Sequence, residues 1–211
     1  MNIEILIKNN FIYSSYRNLK ETLVWIKNNF SPPSPGYIKR RCLVRHTSRN
    51  TIWVETGTYL GQTTKFLAKK SKKIITIEPQ LQLFKNAKKK LSRFKNVDVI
   101  LGTSEDVFPG LLPKLNGEVN FWLDGHYSEG ITYLGKRETP IIEELSNIAD
   151  NLENFSSIII FVDDVRCFGL EENEMNGYPS IMILVEWAEK NKFSWYIEHD
   201  IFVAKKTYKS K

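Results

Sequence analysis

From residue 51 onward the chain alternates between two hydrophobic periods. Runs rich in β-branched and aromatic residues at 51–54, 74–77, 97–101, 119–123 and 157–162 read as strands. Between them, 62–70, 80–93, 104–115 and 140–152 carry apolar residues at helical spacing, and 178–191 is a further helix. Thr139 before Pro140 suits a helix cap followed by a first-turn proline. Two last β runs, 194–197 and 201–204, lie too close together for a helical crossover, so they should pair antiparallel. Strand and helix in alternation predict an α/β, Rossmann-like, doubly wound domain with a mostly parallel sheet.

Upstream the pattern differs. A helix starting at Ser14 or Ser15 and ending near Phe30 places Leu19, Leu23, Ile26 and Phe30 on one stripe, expected to face the core. Ser31-Pro32-Pro33-Ser34-Pro35-Gly36 then breaks the chain. Residues 1–36 therefore read as a helical extension with a stiff connector, and 37–211 as the main domain, beginning with a basic helix at 37–46.

Composition adds boundaries. The chain has 211 residues, enough for one α/β domain with a full core. No apolar run is long enough to span a bilayer, and the first ten residues lack a secretory pattern, so a cytoplasmic protein is expected. Cys42 and Cys167 are far apart and in no metal-ligand spacing, which points to free thiols. Charge is uneven: residues 1–100 hold 20 Lys/Arg against 5 Asp/Glu, and the remainder holds 10 against 19. Lysine runs such as Lys88-Lys89-Lys90 suit helix ends. A basic flank for an anionic acceptor is the alternative. No nucleic-acid motif accompanies it, so a nucleic-acid partner is not expected. A homo-oligomer is left open.

The candidate chemistry lies at strand ends. The first strand runs into Glu55-Thr56-Gly57-Thr58-Tyr59-Leu60-Gly61, the pattern E-x-G-x-x-x-G. Gly57 and Gly61 permit a tight turn and close approach of backbone to a ligand. A carboxylate inside the turn would repel a pyrophosphate but suits a ligand carrying an ammonium group. Glu78, about 20 residues on at the end of the second strand, is placed to hold two ribose hydroxyls. The third strand ends at Ser104-Glu105, the fourth at Asp124-Gly125-His126-Tyr127 and the fifth at Asp163-Asp164. Adjacent carboxylates at the end of a buried strand must be paired, protonated or bound to a cation. Three carboxylates, Asp124, Asp163 and Asp164, suit a hard ion such as Mg²⁺. His126 can accept a hydroxyl proton near neutral pH.

The E-x-G-x-x-x-G turn with Glu78 resembles the cofactor motif of class I S-adenosylmethionine (SAM)-dependent methyltransferases. The resemblance covers roughly residues 45–206. It implies a seven-stranded, mostly parallel sheet with an antiparallel C-terminal strand. It implies SAM as cofactor, with Glu55, Gly57 and Gly61 at its methionine end, Glu78 at the ribose, Ser104 and Glu105 at the adenine, and Asp124 beside it. The acids Asp124, Asp163 and Asp164 resemble those of the metal-dependent O-methyltransferases. That likeness implies methyl transfer to a hydroxyl of a small molecule, a sugar or polyol among the candidates, with Mg²⁺ assistance open. Asp124 and His126 are then the catalytic pair, and Tyr127, Tyr133 and Arg166 the acceptor contacts. D-G-H-Y-S-x-G followed by T-P-I-x-x-E-L also resembles little-characterised bacterial methyltransferase-like proteins. The alternatives are a SAM-binding module without transfer, and a nucleotide- or NAD-binding Rossmann enzyme, which Glu55 and the missing G-x-G-x-x-G disfavour.

Overall fold

The computed structural model describes residues 11–125, 139–169 and 177–207. In chain order they form α1 (Phe11–Lys27), α2 (Gly36–Arg45), β1 (Ile52–Thr56), α3 (Gln62–Leu67), β2 (Lys73–Glu78), α4 (Leu81–Leu91) and β3 (Val97–Leu101). Then follow α5 (Ser104–Leu111), β4 (Gly117–Leu123), α6 (Ile141–Ala149), β5 (Phe155–Val162), α7 (Met182–Lys190), β6 (Ser194–Glu198) and β7 (Ile201–Thr207). The strands make one seven-stranded sheet in the order β3-β2-β1-β4-β5-β7-β6. Pairings among β1 to β5 are parallel, and β7 is antiparallel to both β5 and β6. Every predicted strand is present, and the final antiparallel pair forms as its spacing requires.

The strands read as nearly continuous apolar runs because helices cover both faces of the sheet. Alternate side chains divide between the faces. Val54, Ile75, Ile77, Phe121 and Ile160 pack with Phe108 of α5, Leu145 and Ile148 of α6 and Leu184 of α7. Trp53, Ile74, Trp122, Phe161 and Val203 pack with Cys42 and Leu43 of α2 and Leu67 of α3. Each large side chain so enclosed stabilises the fold by about 1.5–3 kcal/mol relative to exposure.

Two local features differ from expectation. The N-cap of α6 is Pro140 rather than Thr139, and no side chain caps it. The larger difference is α1. Its predicted core stripe faces outward: Leu19 and Leu23 are both 59% exposed and Ile26 is exposed too, while Phe30, also exposed, lies past the end of the helix. Helical spacing specifies an apolar face, not what lies against it. The extension is tied to the body through other groups. Arg17 Nη2 donates to Gln62 Oε1 at 2.9 Å, the Thr22 and Tyr37 hydroxyls are 3.1 Å apart, and Ser34 Oγ donates to the His199 carbonyl at 2.7 Å.

The register aligns the strand ends that matter. Thr56 is level with Leu123, and Leu123 with Val162, so the residues following β1, β4 and β5 emerge side by side. Strand order reverses between β1 and β4, and such a switch point opens a crevice at the C-terminal ends of the strands. The β6–β7 turn is His199-Asp200, both at positive φ (52° and 66°), as a two-residue primed hairpin turn requires. It returns Asp200 to the end of β5, where its carbonyl accepts from Val165 N at 3.1 Å.

Candidate functional site

At the switch point the β1 turn lies directly against β4. Gly57 has φ +84°, and a Cβ there would sit 2.4 Å from the Asp124 carbonyl oxygen. Gly57 is therefore needed first for the approach of two backbones, and only through that for a ligand. Gly61, at φ +66°, starts α3, and a Cβ there would meet Leu91 at 3.2 Å. Glu55 is beneath the turn, 1% exposed, and its Oε2 accepts from Thr64 Oγ1 at 2.5 Å. Burial pushes its carboxyl up to about 7, with Glu78 adding to the rise and the Thr64 and Thr76 hydroxyls opposing it.

Glu78 closes the same crevice from β2. Its Oε2 accepts from Tyr59 N at 2.8 Å and its Oε1 from Gln80 N at 3.1 Å. Each oxygen keeps a further lone pair, so the carboxylate is oriented yet able to accept from two hydroxyls. Burial raises its pKa, against those two N–H groups. At the end of β3, the cap of α5 is Thr103, which accepts from Asp106 N at 3.3 Å. Ser104 is buried and donates to Glu105 Oε2 at 3.2 Å. These two residues border the crevice from the β3 side.

The acids of the other half are arranged differently from expectation. Asp124, Asp163 and Asp164 do come to one edge, but a lysine stands among them. Lys39 Nζ lies 2.5 Å from Asp163 Oδ1, 2.8 Å from Asp164 Oδ1 and 3.6 Å from Asp200 Oδ2. Arg166 Nη1 reaches Asp164 Oδ1 at 2.6 Å and also bonds Asp200 Oδ2. Burial works against the charge on Lys39, but Asp163 and Asp164 outweigh it and hold the ammonium above its ordinary pKa. Burial lifts Asp163 to about 6, opposed by Lys39. Asp124 is driven well above the carboxylate range by burial and by its neighbours Asp163 and Asp164.

This corrects one expectation. The three acids do not fit a Mg²⁺ ion, because an ammonium group already engages two of them and burial works against charge on the third. Among the described residues no cluster of His, Cys, Asp or Glu has the arrangement of a metal site. Arg166, expected at the acceptor, is engaged by Asp164 and Asp200. His126, Tyr127 and Tyr133 lie outside the described residues.

Three participants escaped the sequence reading: Lys39, Asp200 and Glu144. Glu144 sits in the first turn of α6, 1% exposed, with Oε1 lacking a hydrogen-bond partner among the described residues. Burial pushes its carboxyl up to about 7, while the Ser104 and Thr56 hydroxyls oppose the rise. It shares a narrow cleft with Gly125, Thr139, Asp163, Phe168 and Tyr178. Its signal was the acid of T-P-I-x-x-E-L, a motif that in the sequence supports the fold and the cofactor without marking this residue. Lys39 carried no signal beyond one basic residue in a basic helix.

No protein-family model matches the sequence, and no curated protein matches it. Solved structures do share the architecture. A Streptococcus mutans protein assigned as a methyltransferase, in complex with SAH, matches with a TM-score of 0.55 at 18% identity, over 83% of this chain and 98% of its own. A Clostridium thermocellum protein assigned as an rRNA-methylase gives 0.55 at 16% identity, over 80% of this chain and 94% of its own. A Methanobacterium thermoautotrophicum protein described as precorrin 8w decarboxylase gives 0.53 at 14%, over 84% and 92%. Identity at this level speaks for architecture alone. The fold is that of the class I SAM-dependent methyltransferases, as the strand pattern and the E-x-G-x-x-x-G turn led one to expect.

Proposed function

We propose that this protein binds SAM in the crevice between β1 and β4 and transfers its methyl group to a hydroxyl of a small molecule. The observation that carries the reading is Glu78, a buried carboxylate oriented by two backbone N–H groups beside a glycine turn at the switch point. That is a receptor for a ribose diol. Glu55 adds negative charge beneath the turn, and among the described residues neither acid is paired with a cation, which suits a ligand with a positively charged tail. Gly57 and Gly61 shape the turn, and Ser104 with Glu105 borders the adenine position. SAM supplies an electrophilic methyl group on a sulfonium.

The chain's own contribution is orientation, exclusion of water and movement of one proton. On this reading the acceptor lies near the ends of β4 and β5, where Asp163 and Glu144 line a small cavity. His126, two residues beyond Asp124, takes the hydroxyl proton. Tyr127 and Tyr133 belong to the same stretch of chain and serve as acceptor contacts.

The Clostridium neighbour's assignment supports a second reading, a nucleic-acid acceptor. The charge distribution favours the small molecule, because Lys69, Lys70, Lys72 and Lys73 lead into the start of β2, at the sheet edge opposite the crevice.

Calorimetry with SAM, NAD and a nucleoside triphosphate tests the cofactor. SAM should bind preferentially, and Glu78→Ala should weaken it by on the order of 1.5–3 kcal/mol, the value of hydrogen bonds to a charged group. Equal affinity in the folded variant would remove the ribose assignment. A screen of polyols, sugars and short RNA then identifies the acceptor. On that acceptor His126→Ala should lower turnover by roughly 10²–10⁴-fold with SAM affinity unchanged. SAM binding with no transfer to any acceptor would favour the binding-module reading.

A further inference from the structure

The ammonium of Lys39 stands where a cation must stand to bridge the acids at the end of β5. Its three carboxylate neighbours come from two places, Asp163 and Asp164 after β5 and Asp200 from the β6–β7 turn. Lys39 itself comes from α2, before the sheet begins. It is no flexible surface side chain. Lys39 is 8% exposed, and α2 is fixed by Cys42 and Leu43, both buried against Trp53, Trp122 and Phe161. The connector ahead of α2 is held by the Ser34 bond to the His199 carbonyl, one residue from Asp200.

Asp163 is held from two sides. Its Oδ1 receives both Lys39 Nζ and Asp164 N, the latter at 2.8 Å. The same side chain lines the cleft that contains Gly125, Glu144 and Tyr178. A divalent ion placed among these acids would have to displace the ammonium from Oδ1 of both Asp163 and Asp164. If it did not, it would sit within a few ångströms of a like charge in a poorly solvated place.

We infer that Lys39 is a built-in cation of this site, beside Arg166, and the one that holds Asp163. It is a positioning residue that holds Asp163 in the cleft wall, and it closes the acid pair to divalent metals. The inference rests on the proposed methyl transfer only in calling the neighbouring cleft the acceptor's. It follows that the acceptor is not selected by chelation of adjacent hydroxyls. A single hydroxyl or amine, donating to a lysine-held carboxylate, is sufficient.

The test is Mn²⁺ binding, followed by electron paramagnetic resonance and calorimetry, on the full chain and without any acceptor. Wild type should bind Mn²⁺ no better than Asp163→Asn does. Lys39→Met keeps the aliphatic stem and removes the charge; it should gain Mn²⁺ affinity by about 10–100-fold, the range for removing or supplying a partner of metal ligands. Lys39→Met/Asp163→Asn should lose that gain. A merely structural lysine would change stability without creating a metal site that depends on Asp163. Wild-type binding that Asp163→Asn weakens would overturn the inference, as would a folded Lys39→Met variant with no gain. If Lys39→Met does not fold, Lys39→Gln takes its place, and the wild-type comparison with Asp163→Asn decides by itself. SAM calorimetry on the same samples reports separately on the cofactor, so failure of one reading is distinguishable from failure of the other.

Discussion

At the ends of β1 and β2, Glu55 and Glu78 are held by neutral donors from nearby in the chain: Thr64, Tyr59 and Gln80. At the ends of β5 and β7, Asp163, Asp164 and Asp200 are held by two cations, Lys39 and Arg166. One edge of one sheet thus carries two kinds of acid site. The first has no cation beside it among the described residues, and burial raises both pKa values there, a rise that a cationic ligand would oppose. The second has most of its charge offset by the protein's own cations, which hold the acids in place. The proposal of a positively charged cofactor at the β1–β2 half, and of fixed orientation at the β5–β7 half, rests on this contrast.

The largest expected effect breaks the balanced half. Removing the charge of Lys39 leaves enclosed carboxylates without their partner, so Lys39→Met should destabilise the fold by about 3–5 kcal/mol in denaturant unfolding. Adding Asp163→Asn to that variant should restore part of the loss, because it removes one of the stranded charges. A loss below about 1 kcal/mol, the level of a surface pair, would mean that solvent reaches the cluster and the contrast fails.

The next effect sharpens the unbalanced half through pH. Burial raises Glu55 from 4.5 to about 7, so between those values the folded state keeps a proton that the unfolded chain releases. The stability from this group is full below pH 4.5 and is lost as pH rises through about 7. Glu55→Gln removes the ionisation, so its advantage over wild type should grow across that window to on the order of 3 kcal/mol at pH 8. Unfolding curves at several pH values measure this. Parallel curves for the two proteins would show that Glu55 is already balanced in the folded chain.

The smallest effect lies on α1. Leu23 is 59% exposed, so Leu23→Ser should change stability by no more than about 0.5 kcal/mol, the range for surface positions. A core-sized loss in thermal unfolding would restore the stripe to the core role that its spacing suggested.

What was legible in the sequence follows from range. The strands, the glycine turn and Glu78 were readable because each rests on neighbours in the chain: hydrophobic alternation, the backbone freedom of Gly57, a carboxylate one strand further on. The final hairpin was readable because too few residues separate its strands for any other connection. Glu144 was half legible, since its motif was visible but its burial beneath Gly125 was not.

What the amino-acid order determined by itself is therefore the α/β alternation, the crevice-forming turn and the presence of unpaired-looking acids at the ends of β4 and β5. Only the tertiary structure decided how those acids are neutralised. Lys39 and Asp163 are 124 positions apart, and no periodicity connects a lysine in a basic helix with a carboxylate after a distant strand. An ammonium came to lie among those acids because α2 packs its Cys42 and Leu43 face onto the sheet and brings Nζ to them. In the same way, an apolar stripe on α1 is a local property, whereas its coverage depends on where the rest of the chain has already buried its own surface. Burial and ion pairing are relations between distant segments, and they exist only once the chain has folded.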